Sequence, residues 1–189
     1  MILDIYTDAR SEIVKYSRTA KNSNLSQKLI QISSVVIDEH ENEFKLVEVT
    51  NTDKIKNEWD EFIGVEFKSS STIGEMYSIY KVLGELCKLE SKIDCINIYT
   101  DSLTSFFWIN EIPLVRRPTQ KPKCHKPNHK LVKKLNTNII SIKKTLESVG
   151  VKVNIMWVKA HCGVWGNELA DSLCKKSYKE INEFNLISK

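Results

Sequence analysis

The sequence predicts an α/β fold: one five-stranded mixed sheet with helices on both faces. Two observations predict it. Two apolar runs, Leu29 to Asp38 and Phe44 to Thr50, are joined by the polar stretch Asp38-Glu39-His40-Glu41-Asn42, which reads as a hairpin. Two later apolar runs, Ile93 to Thr100 and Val151 to Val158, are set apart by stretches of helical periodicity. Hairpin-linked strands followed by helix-linked strands make a sheet that is partly antiparallel and partly parallel, covered by helices. With 189 residues and 41% hydrophobic content, the chain has enough material for one domain and its core.

The elements follow in order. Ile2 to Thr7 is a short apolar run, read as the first strand and ending at Asp8. Ala9 to Gln27 is polar and without period, and reads as a loop. After the hairpin, Asp53 to Ile63 places Ile55, Trp59, Phe62 and Ile63 on one helical face, with Thr52 as its cap. Thr72-Ile73-Gly74-Glu75 opens a helix to about Leu89, with Ile73, Met76, Tyr80, Leu83 and Cys87 spaced by three and four. Ser102 to Ile109 is a short helix. Arg116 to Lys134 carries Pro118, Pro122 and Pro127, so its first half is not regular helix. Periodicity returns from Leu131 to Val149, and Gly150 ends it. Lys159 to Gly166 is a loop, and Asn167 caps a last helix to about Tyr178. One domain is read over residues 1–178, with residues 179–189 a C-terminal tail, and no separate module is read ahead of Ile2.

The formal charge of +4 is mildly basic, so the distribution of charge matters more than its total. Five scattered cysteines without CxxC spacing argue against a disulfide scaffold and for a reducing compartment. The start MILDIYTD has no signal-peptide pattern, and no run approaches the roughly 18 apolar residues of a membrane span. The expectation is an intracellular protein, cytoplasmic or nuclear, not secreted and without a membrane partner.

Four acids are candidates for chemistry. Asp8 and Asp101 each follow a strand that ends in Tyr-Thr: Ile5-Tyr6-Thr7-Asp8 and Ile98-Tyr99-Thr100-Asp101. Open sheets with helix crossovers place their sites at the carboxyl ends of strands. If the two strands are parallel neighbours, their carboxylates stand side by side. Two bare carboxylates in contact repel, so one keeps a proton or a cation binds between them. Oxygen-only ligands select hard ions such as Mg²⁺ or Mn²⁺. Glu75 adds a third carboxylate in the first turn of a helix; by itself it reads as half of a capping box with Thr72. Asp171, early in the last helix, by itself reads as an ordinary complement to the helix dipole.

Taken together, these pieces resemble a type 1 ribonuclease H, of the ribonuclease H-like superfamily. The matching segments are Tyr6-Thr7-Asp8, Glu75, Tyr99-Thr100-Asp101-Ser102, and Trp157-Val158-Lys159-Ala160-His161 leading into Gly166-Asn167-Glu168-Leu169-Ala170-Asp171. The resemblance runs from Ile2 to about Lys176. It implies the ribonuclease H-like fold, with five strands in a mixed sheet. It implies hydrolysis of the RNA strand of RNA–DNA hybrids by two Mg²⁺ ions, with Mn²⁺ as a substitute, leaving 5′-phosphate and 3′-hydroxyl ends. By the same resemblance Asp8 bridges both ions, Asp171 completes the water-activating site, and Glu75 and Asp101 hold the ion that stabilises the departing 3′-oxygen. His161, on the loop before Asp171, moves protons or helps release product. The alternatives are a nuclease of this fold acting on DNA or structured RNA, and a non-catalytic nucleic-acid-binding subunit. A scaffold has no need to concentrate unpaired carboxylates.

From Ile112 to Leu146 there is no Asp or Glu, while Arg116, Arg117, Lys121, Lys123, Lys126, Lys130, Lys133, Lys134, Lys143 and Lys144 are all present. Such a run is most often a solvated face. Here it falls where many relatives carry a basic protrusion that grips the hybrid, so phosphate binding is expected of Arg116, Arg117, Lys121, Lys123 and Lys126. Further contacts to the nucleic acid are expected from Ser71, Thr72 and Asn167. Cys124, His125 and His129 give three local zinc ligands, with Cys162 on a distant loop; structural zinc wants four, so Lys121 to Lys130 reads as a basic loop. Trp108 is assigned to the core, whereas Trp165 is hard to explain there.

Three departures from the family pattern stand out. The loop Ser11 to Gln27 has no glycine. Ser69-Ser70-Ser71-Thr72 stands where relatives carry paired asparagines that touch the RNA 2′-hydroxyls. Asp53 to Ile63 is an added helix. A monomer on its hybrid substrate is expected, in a setting that admits association with replication or reverse-transcription machinery.

Overall fold

The computed structural model describes residues 1–15, 26–62, 70–89, 92–112 and 126–175. Five strands form one sheet: β1 (Ile2–Lys15), β2 (Ser26–Asp38), β3 (Glu43–Asn51), β4 (Cys95–Thr100) and β5 (Lys152–Trp157). Their order is β3-β2-β1-β4-β5, so β1 is central. β1 pairs antiparallel with β2 and parallel with β4, β3 pairs antiparallel with β2, and β5 pairs parallel with β4. The mixed sheet expected from the sequence is therefore present.

The helices are α1 (Thr52–Asn57), α2 (Ser71–Leu86), α3 (Leu103–Ile109), α4 (Lys126–Ser148) and α5 (Trp165–Cys174), with one 3₁₀ turn at Asp60–Phe62. Residues alternate between the two faces of the sheet because a strand has a period of two. Ile5, Ile32, Ile98 and Ile155 point to one face, where Met76, Leu83, Leu131 and Leu135 of α2 and α4 close the main core. Tyr6, Val35 and Val47 point to the other, where Ala170 and Leu173 of α5 cover them in a smaller cluster. Trp108 packs against the main core, as expected.

Several boundaries move. β1 does not stop at Asp8 but continues to Lys15, paired with residues back to Ser26 of β2. Residues 9–15 and 26–27, within the stretch expected to be a loop, are thus strand, since backbone pairing needs no apolar pattern once a partner strand lies alongside. The helix expected over Asp53–Ile63 is one short helix and a 3₁₀ turn. Its cap is Asn51, whose side chain accepts from Lys54 N at 2.8 Å, and not Thr52. α4 begins at Lys126, five residues before Leu131; Pro127 lies in its first turn, where a missing N–H takes nothing from the helix. Residues 126–130 are therefore helix and not loop. α5 is capped by Val164, with Asn167 inside its first turn. Among the described residues no helix is long and apolar enough to cross a membrane.

Candidate active site

The site begins where the parallel pairing of β1 and β4 ends. The last pair is Thr7 with Thr100, so the next residues along are Asp8, within β1, and Asp101, just past the end of β4. One pair earlier, Tyr6 and Tyr99 stack with ring centroids 4.6 Å apart and planes 12° apart, which locks the register. The shared Tyr-Thr-Asp sequence is therefore one layer of the sheet written twice. The Asp101 backbone is held from β5, because Trp157 Nε1 donates to its carbonyl at 3.1 Å.

Glu75 comes from α2, which packs directly against the sheet at Gly74. A Cβ on Gly74 would stand 2.8 Å from Ala9 Cβ and 2.9 Å from Ile30 Cγ2, so only glycine permits this approach. It brings Glu75 Oε1 to 3.1 Å from the Ala9 N–H, which also donates to Asp8 Oδ1 at 2.8 Å. One amide thus orients two carboxylates. Glu75 is 4% exposed and α2 is capped at Ser70 without a side-chain bond, so the capping-box alternative does not hold.

Oxygens of Asp8, Glu75 and Asp101 all lie within 4.8 Å of one another. Burial, followed by the charges of Asp8 and Asp101, pushes the Glu75 carboxyl well above its ordinary range. Burial, followed by the Asp101 charge, raises Asp8 as well, while the Ala9 amide opposes the shift. Without a cation, this cluster holds on to a proton. Glu75 Oε2 is buried and has no hydrogen-bond partner among the described residues. A carboxylate with an orphaned buried oxygen, converging with two more carboxylates, fits a hard divalent cation, and the all-oxygen donor set does not suit zinc.

Asp171 stands outside this cluster. It is partly exposed on α5 and pairs with Lys175, one turn further on. His161 Nδ1 is 3.8 Å from the same carboxylate oxygen. Asp171 is near enough for its charge to act on Asp8. His161 has φ of 54° on an exposed loop, which Glu168 braces by accepting from Gly163 N at 2.9 Å.

Asn167 lies differently from the expectation. It is 2% exposed, with its amide Nδ2 3.5 Å from Asp101 Oδ2. Its side chain serves the carboxylate layer and does not reach the surface. The reason is Gly166: a Cβ there would come within 2.2 Å of the Tyr6 ring, so the first turn of α5 lies flat on that ring and carries Asn167 inward. Sequence reasoning passed over two further supports. Ser33 Oγ donates to the Ala170 carbonyl at 2.7 Å, tying α5 to β2. Cys174 Sγ lies 3.4 Å from the Asp8 carbonyl, and burial pushes this thiol up. The apolar spacing of Ala170, Leu173 and Cys174 was the available signal.

Ser71 and Thr72 lie in the first turn of α2, one turn ahead of Glu75, the first exposed and the second half-buried. Arg116, Arg117, Lys121 and Lys123 fall outside the described residues, as does the side chain of Lys126; so do Cys124 and His125. His129 packs its ring 5.2 Å from Trp108, and Cys162 is exposed and free. Trp165 is 54% exposed, in keeping with the difficulty of assigning it to the core.

A family model described as RNase H matches residues 5–179. The fold is similar to three solved structures. One is the LC11-RNase H1 in complex with RNA/DNA hybrid, at 14% identity and TM-score 0.51, covering 90% of this chain and 94% of that one. Another is the RNase H1 of Halobacterium salinarum NRC-1, at 11% identity and TM-score 0.53, covering 92% and 94%. The third is the N-terminal RNase H domain of rv2228c from Mycobacterium tuberculosis, solved as a fusion with maltose binding protein, at 12% identity and TM-score 0.53, covering 91% and 98%. No curated protein matches the chain.

Proposed function

The chain belongs to the RNase H family, and from that premise we propose that it cuts the RNA strand of RNA–DNA hybrids with two divalent cations, leaving 5′-phosphate and 3′-hydroxyl ends. It is a ribonuclease H, a hydrolase, and the family uses divalent metal. One observation carries the finer reading: Asp8, Glu75 and Asp101 converge within 4.8 Å while a buried Glu75 oxygen has no partner among the described residues. The hybrid bound to the similar LC11-RNase H1 supports the choice of substrate.

Asp8, Glu75 and Asp101 would hold the divalent cations from the floor of the site, and Asp171 would add a ligand from α5. Bound there, Mg²⁺ or its substitute Mn²⁺ supplies a more acidic water and stabilises charge on the attacking and departing oxygens. The chain's own groups do the positioning. The Ala9 amide fixes two carboxylates, Asn167 donates to the third, and Trp157 holds the backbone of Asp101. His161, exposed beside Asp171, exchanges protons with water or product. Ser71 and Thr72 offer hydroxyls to the RNA 2′-OH. The basic segment from Arg116 to Lys126 contacts phosphates on sequence grounds.

The test is cleavage of end-labelled hybrid, double-stranded RNA, double-stranded DNA and single strands, each with Mg²⁺ and with chelator. The RNA strand of the hybrid is cut, and only with cation. Equal cutting of double-stranded RNA would move the substrate to structured RNA. Cutting in chelator would remove the cations from the account.

A further inference from the structure

We propose that Lys175 is the resident counter-ion of Asp171: it holds the fourth carboxylate until a divalent cation displaces it, and so sets how much cation the site requires. This rests on the cation-binding role of the acids proposed above.

The ion pairs to the four acids, among the described residues, come from Lys175 and His161, and both go to Asp171. Asp8, Glu75 and Asp101 have none, and Asp171 adds its repulsion to Asp8. Lys175 is the C-cap of α5, with its N–H donating to Ser172 O at 3.2 Å. A cation at the C-terminal end of a helix is favoured by the helix dipole, and the side chain reaches back one turn to Asp171. The pair is therefore built into the last turn of α5 and does not rely on the loop that carries His161.

An ammonium and a divalent ion cannot both take the same carboxylate oxygen at full strength. In the cation-free protein, Lys175 offsets the charge that Asp171 directs at Asp8. A cation held by Asp8 and Asp171 would compete with the ammonium for that carboxylate. Both members of the pair reach solvent, so it is weak enough to be displaced yet strong enough to compete. Lys175 is a positioning residue by this argument, because it acts through Asp171 and touches no reacting atom.

The test compares wild type, Lys175→Gln and Lys175→Arg after removal of metal. Mn²⁺ binding is followed by calorimetry, and melting temperature is followed against Mg²⁺ concentration. Lys175→Gln should lower the half-saturating Mn²⁺ concentration roughly two- to fivefold, the range of an exposed ion pair. Lys175→Arg should restore it. The half-maximal Mg²⁺ concentration for stabilisation should move the same way. Unchanged Mn²⁺ affinity in Lys175→Gln, with wild type still binding, would overturn the role of Lys175 and leave the acid site standing. If wild type binds no cation, both readings fall together. Weaker binding in Lys175→Gln would reverse the sign and make the ammonium a support for the bound state.

Discussion

Asp8, Glu75 and Asp101 are fixed by backbone, since strand register places two of them and a helix seated against the sheet places the third. Asp171 and His161 stand on the first turns of α5 and on an exposed loop, and side-chain ion pairs hold them. The first group is buried or half-buried and electrostatically frustrated; the second is solvated and already has partners. A buried set of like charges is a site that waits for a cation. A solvated, paired carboxylate is one that adjusts when the cation arrives. The difference assigns the floor of the site to binding and its rim to tuning and turnover.

The largest effects should come from the floor. Asp8→Asn and Asp101→Asn should each lower cleavage of hybrid at least about 10³-fold at several millimolar Mg²⁺, with the fold intact by circular dichroism. Near-normal turnover in either would break the distinction between floor and rim. His161→Ala, on the rim, should slow steady-state turnover about 10²-fold and single-turnover cleavage less. A loss as large as that of Asp8→Asn would place His161 with the floor.

The next effect is on stability and carries a sign. Asp8 and Glu75 are raised in the folded protein, so above about pH 4 the folded form holds more protons than the unfolded one. Stability contributed by this pair is present at and below the ordinary carboxyl range. It is lost as pH rises from there through the raised values. In chelator, melting temperature should therefore fall across that window, and Mg²⁺ should flatten the fall. Asp8→Asn in chelator at pH 7 should melt about 3 °C higher than wild type, as expected for roughly 1 kcal/mol in a chain of this size. A lower melting temperature would mean that the carboxylates are not in conflict.

The smallest effect on chemistry belongs to the basic segment. Neutralising Arg116, Arg117, Lys121 and Lys123 together should weaken hybrid binding with little change in single-turnover rate at saturation. The log-log salt slope should become shallower by roughly 3 to 4 units if each contacts one phosphate. Parallel salt slopes would make the segment a solvated face and shift the grip to Arg10, Lys15 and Arg18.

Much of this was legible in the sequence because the informative residues are local. Two Tyr-Thr-Asp strand ends predict adjacent carboxylates, and pairing of Tyr6 with Tyr99 delivers them. What escaped depends on contacts between distant segments. The extension of β1 past Asp8 is set by β2 lying beside it, so no apolar pattern marks it. The inward turn of Asn167 is set by the fit of Gly166 on the Tyr6 ring, 160 positions away in the chain, and nothing near Asn167 announces it. Glu75 looked like half a capping box because Thr72 stands three residues earlier; its burial follows from Gly74 against Ala9 and Ile30. The pairing of Asp171 with Lys175 was visible as i, i+4 spacing, but that spacing is too common on helices to carry weight unaided.

The central claim is that the three converging carboxylates hold a divalent cation. Crystals soaked in Mn²⁺ and measured at the manganese absorption edge test it most directly. An anomalous peak enclosed by the oxygens of Asp8, Glu75 and Asp101, and absent from Asp8→Asn, is the predicted result. Full Mn²⁺ occupancy elsewhere on the chain, with no peak between these three carboxylates, would contradict it.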